Sequence, residues 1–137
     1  MRKELEQKLV ERWTAWFNVE GDIRHTLMPF GCQCGDGWFE LLWRLCEDSE
    51  PLVNKFERET GNRFEVLQVK EKFGGLRFYT NYRSEAIQER IEAAAVASFK
   101  TCEICGQPGR LREGSYVQTL CDHCASSREP GLRCQGQ

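Results

Sequence analysis

The chain has 137 residues, 40% of them hydrophobic and 29% charged, with 19 basic against 21 acidic side chains. Eight Phe, four Trp and three Tyr are too heavy an apolar load for a disordered chain, and the length fits one domain with a small appendage. No apolar run reaches the ~18 residues of a membrane span, the opening MRKELEQKLV is no export signal, and a net charge of −2 announces no nucleic-acid partner, so a cytoplasmic protein is expected.

Residues 3–18 read as an amphipathic helix, with Leu5, Leu9, Trp13, Trp16 and Phe17 falling within roughly 120° of one another. Gly21-Asp22 ends it, and a loop carries the chain past Cys32-Gln-Cys34. A second helix, 38 to about 48, is apolar over more than half its circumference and should be central; Pro51 suits the first turn of a further short helix with Leu52, Val53 and Phe56. Gly61-Asn62 marks the switch to strands at 64–70 and 76–82. They are joined through Lys72-Phe73-Gly74-Gly75, whose Gly-Gly centre tolerates positive φ. Leu76, Phe78, Thr80 and Tyr82 share one face, and Arg77, Tyr79 and Asn81 the other. Ser84 can cap a helix to about Phe99, with Ile87, Ile91, Ala94 and Ala95 in one stripe.

The helix feeds into the most informative segment. Cys102-Glu-Ile-Cys105-Gly106 and Cys121-Asp-His-Cys124 are two C-x2-C pairs, the pattern of a four-thiolate zinc site. Two intervening residues allow a tight knuckle that aims both sulfurs at one ion, and Gly106 suits the backbone that closes it. Residues 109–120 read as a hairpin turning at 113–115, with Leu111, Tyr116, Val117 and Leu120 as its apolar side chains, and the second pair runs into a short helix ended by Pro130-Gly131. Four thiolates leave no open position for water, so the expected zinc is structural. The remaining cysteines, Cys32, Cys34, Cys46 and Cys134, lack convincing ligand spacing, and a second metal site is not expected. The expected fold is α+β: a helical amino-terminal half, a long β-hairpin, a connecting helix and a treble-clef or zinc-ribbon module, with the body at 1–100 and the module at 101–137.

Cys-Gly-Asp-Gly-Trp (34–38), Gln-Val-Lys-Glu-Lys-Phe-Gly-Gly-Leu-Arg-Phe-Tyr (68–79) and the two cysteine pairs with their flanks resemble a family of small zinc-finger proteins encoded in bacteriophages and prophages. The resemblance spans most of the chain from Gly31 onward. It implies a phage setting, and with it a protein that binds host machinery, without implying a mechanism.

Three classes of function compete. Catalysis is not expected. Asp122-His123 beside zinc cysteines has the look of a metal-dependent nuclease, but no downstream Asn or His completes a catalytic cation site, and Glu20, Asp22 and His25 form an incomplete loop cluster. Nucleic-acid binding would use Arg110 and Arg112 on the zinc hairpin, with Lys100, Arg128 and Arg133 close in sequence, joined by Lys70, Lys72, Arg77 and Tyr79 on the long one, against the acidic total. A protein-binding module is preferred, because Trp13, Trp16, Phe17, Trp38 and Trp43 are more aromatic surface than short helices bury among themselves. The expected partner is a host protein, defence proteins included, with self-association as a further expectation.

Overall fold

Helix gives way to strand near residue 61, as expected. The computed structural model describes residues 1–127, and the fold is α+β with four helices among them. In chain order the helices and strands are α1 (Lys3–Arg12), β1 (Cys32–Gln33), α2 (Phe39–Thr60), β2 (Val66–Lys72), β3 (Gly75–Thr80), α3 (Glu85–Ser98), β4 (Arg110–Arg112), β5 (Gln118–Leu120) and α4 (Asp122–Ser126). No helix of the described residues is long and apolar enough to cross a membrane.

The first helix stops six residues short of its apolar pattern. Trp13 leaves helical geometry at φ −127°, and Thr14 Oγ1 donates back to the carbonyls of Val10 and Glu11, a side-chain bond that competes with the helical ladder. The irregular turn that follows buries Trp13, Trp16 and Phe17 together and turns the Trp16 carbonyl to the sheet, where it accepts from Val66 N at 2.9 Å. No straight helix could present all three aromatics and that carbonyl at once.

The second and third expected helices are one. α2 runs through Pro51 because Pro51 and Glu47, whose carbonyl loses its donor, both lie on the exposed side, where water can satisfy that carbonyl. It ends on Gly61 in the left-handed region at φ 73°, whose N–H returns to Glu57 O at 2.9 Å. On its inner face Leu42, Leu45, Cys46 and Val53 are buried. Trp13, Trp16, Trp43 and Phe64 form a chain of ring contacts across α2 and the sheet, with centroids 4.8–5.9 Å apart.

β2 and β3 form the expected hairpin, but its two-residue turn is Phe73-Gly74, at φ 53° and 85°, with Lys72 paired to Gly75. The expected Gly-Gly centre is off by one position; Gly75 is glycine because a Cβ there would stand 2.3 Å from the Phe99 ring. A bulge between Val66 and Gln68 sets the faces, so that Val69, Leu76 and Phe78 point to the core. β1, which the sequence did not announce, adds to the other edge of β2 in parallel, giving the order β1-β2-β3. Ser84 caps α3 by accepting from Ile87 N, as expected. Ser98, at the far end of α3, is fully buried and accepts from Leu76 N at 2.9 Å, which ties the helix to β3.

Candidate metal centre

The carboxyl-terminal segment runs knuckle, hairpin, helix. In the knuckle, Cys102 N donates to Gln107 O and Gly106 N to Cys102 O, with Gly106 at φ 81° closing the turn. β4 and β5 pair antiparallel, Arg110 opposite Leu120. Cys121 then caps α4, its sulfur accepting from Cys124 N at 3.4 Å, so the second pair sits in the first helical turn, the treble-clef order.

One ligating sulfur from each of Cys102, Cys105, Cys121 and Cys124 lies within 4.8 Å of the others. Cys105 and Cys121 are 3.6 Å apart, close to the edge of about 3.8 Å that four sulfurs make around an ion at roughly 2.3 Å. The donor set therefore fits a tetrahedral ion. Burial pushes the Cys105 thiol up to about 11, whereas the Cys124 amide aimed at Cys121 pulls that thiol down. A bound cation would favour the thiolate at both.

The module's own core is small: Cys102, Leu120 and Cys124. Tyr116 is 60% exposed and Leu111 36%, so neither fills it as the hairpin pattern suggests. What the module lacks inside, it finds on the body. The Glu103 carboxylate, buried, accepts from Gly35 N at 2.9 Å and from Gln118 Nε2 at 3.3 Å, and the Glu103 carbonyl accepts from Gly37 N at 2.8 Å. Trp38 Nε1 donates to Thr101 O at 2.9 Å. A Cβ on Gly37 would lie 2.1 Å from Cys102 O, so only glycine lets the two backbones meet. On the other side Thr119 Oγ1 donates to Gly74 O at 2.6 Å, and Leu111 Cδ1 fills the space where a Gly74 Cβ would stand. Cys-Gly-Asp-Gly-Trp and Phe-Gly-Gly are thus two halves of one cradle for the cysteine module. Glu103, Thr119 and the close approach at Gly35 and Gly37 escaped the sequence reading, although these glycines flanking Asp36 were a usable signal for it.

The expected partner-binding residues fare differently from the expected ligands. Trp13, Trp16 and Trp38 are 4%, 7% and 0% exposed and cannot anchor a partner; the irregular turn after α1 and the bond to Thr101 draw them inward. Arg112 is committed within the module, donating to Leu120 O and, at 2.8 Å, to Asp122 Oδ1. Arg110 is exposed. Cys32, Cys34 and Cys46 are buried free thiols, and burial pushes Cys32 up to about 12 and the other two upward as well, which suits packed, protonated side chains. Among the described residues only the other quartet gathers ligands; Cys134, Arg128, Arg133 and Pro130-Gly131 lie outside them.

Comparison with family models, with curated proteins and with solved structures gives no match for this chain.

Proposed function

We propose that Cys102, Cys105, Cys121 and Cys124 hold one structural zinc and that the protein is a non-enzymatic module that binds another protein. Four sulfurs would complete the ion's coordination and leave no position for substrate or water. In the phage setting that the sequence resemblance implies, the partner is a host protein, and the outcome is modulation or inhibition of it, defence proteins included.

The observation that carries a protein partner is the apolar rim where the hairpin tip, the end of α3 and the module meet. Leu111 and the Phe99 ring pack on Gly74 and Gly75, beside Phe73 at the tip of the hairpin, and the three are 36%, 41% and 69% exposed. Aromatic side chains held at a rigid turn are suited to act as interface anchors. Self-association through the same rim is the simplest variant. The test is capture from host lysate with tagged protein, followed by mass spectrometry, alongside Phe73→Ala. The variant should keep its zinc and its melting temperature and lose the captured protein by about 30-fold in affinity, as a 2 kcal/mol anchor would. Equal capture by both proteins would reject the rim.

A further inference from the structure

We infer that the open face of the β1-β2-β3 sheet binds single-stranded nucleic acid. The register places the side chains of this face. Gln33, Lys70 and Arg77 lie in one row across the three strands, Gln68 and Tyr79 pair in the next, and Lys72 stands beyond them toward the turn. The partner face holds Val69, Leu76 and Phe78 and is sealed in the core.

Two features of the open face call for an anionic, planar ligand. First, Lys70 and Arg77 are directly opposed across the ladder, an arrangement of like charges that destabilises a sheet, and none of Lys70, Lys72 and Arg77 pairs with a carboxylate among the described residues. No strand residue of that face is acidic: Glu71 points away and accepts from Gly74 N at 2.7 Å. Second, the cations lie beside exposed aromatic rings. Lys70 Nζ stands 6.0 Å from the Tyr79 centroid, and Tyr79 is 40% exposed; Lys72 Nζ stands 5.7 Å from the ring of Phe73.

A phosphate backbone relieves the repulsion between Lys70 and Arg77, and an unpaired base stacks on Tyr79, while the amides of Gln33 and Gln68, joined by a bond from Gln68 Nε2 to Gln33 Oε1 at 3.3 Å, keep further donors and acceptors for base edges. Paired bases in a duplex present no free faces to such a platform. An acidic peptide would satisfy the cations but leave the ring without a use. The acidic excess of residues 1–61 lies largely on the helices, so the whole-chain charge does not describe this face.

Fluorescence anisotropy with labelled oligouridylate, oligothymidylate, a DNA duplex and polyglutamate, at about 50 and 200 mM salt, tests this. Single strands should bind, weaken with salt, and outcompete both duplex and polyglutamate. Lys70→Gln with Arg77→Gln should lower the slope of log affinity against log salt by about 1.4, from two lost phosphate contacts. Tyr79→Ala should weaken binding by about five- to a hundredfold at either salt, and Tyr79→Phe should restore it. Backbone amide shifts of the unmutated protein on adding oligouridylate provide a readout that needs no variant, and should centre on Gln33, Gln68, Lys70, Arg77 and Tyr79. No binding at about 100 µM protein, tighter binding of duplex or polyglutamate, an unaltered affinity in Tyr79→Ala, or shifts centred elsewhere would each overturn the inference.

Discussion

Trp38 and Trp13 are both buried, yet their indole nitrogens have different fates. Trp38 Nε1 donates to Thr101 O, while Trp13 Nε1 has no partner among the described residues and the ring is covered by the Arg12 guanidinium at 4.8 Å. Replacing Trp38 by Phe should therefore cost about 1–3 kcal/mol more than the same change at Trp13, because it orphans a carbonyl at the seam of body and module, whereas Trp13→Phe removes a polar group already unsatisfied. Urea denaturation of the two variants measures the difference; equal losses would mean the Thr101 bond does not matter. Gly75→Val makes a second residue-scale comparison. Its side chain must displace the Phe99 ring and should cost about 1–3 kcal/mol, whereas Arg77→Ala on the open face should stay within about 0.5 kcal/mol. Equal thermal shifts would show that Phe99 simply moves aside.

At the scale of elements, what was legible followed spacing. The cysteine pairs, the Ser84 cap and the strand runs at 64–70 and 76–82 are local patterns, and they became a cluster of four sulfurs, a capped helix and strands shifted by one or two residues to 66–72 and 75–80. What was not legible depended on partners distant in sequence. α1 ends early because Trp16 O serves Val66, and β1 exists because β2 offers it an edge; neither fact is written near the residues concerned. Pro51 misled for the opposite reason: its local meaning is a helix start, but an exposed interior position tolerates it. The tryptophans looked like surplus surface because their burial requires the turn after Arg12 and the knuckle carbonyl, both tertiary. The same dependence predicts the behaviour of the knuckle. Gly37→Ala leaves every cysteine in place, yet should weaken metal retention, since its Cβ would strike Cys102 O. Competition with a chromophoric chelator reads this directly, and unchanged affinity would show that the cradle does not steady the ligands.

For the whole molecule, the cradle ties the segment before Lys100 to the segment after it through the hydrogen bonds of Trp38, Gly35 and Gly74. Cys105→Ser should abolish zinc binding, and near-ultraviolet circular dichroism of the tryptophans should change with it, because Thr101, Glu103 and Thr119 hold Trp38, Gly35 and Gly74. Metal analysis of unmutated protein purified without chelators should give about one zinc per chain. A tryptophan spectrum indifferent to chelation would mean that the amino-terminal core stands without its clasp.

The clasp also has a place in time. Gly35 and its acceptor on Glu103 are separated by 68 residues, so the first half of the cradle leaves the ribosome well before the knuckle that fills it. At about 5–20 residues per second that delay lasts several seconds, during which the Trp38 indole N–H and the Gly35 and Gly37 amides have only water to bond. Closing so long a loop is slow in its own right. The proposed ion would then be bound late, because Cys124, the last of the four candidate ligands, emerges after both halves of the cradle.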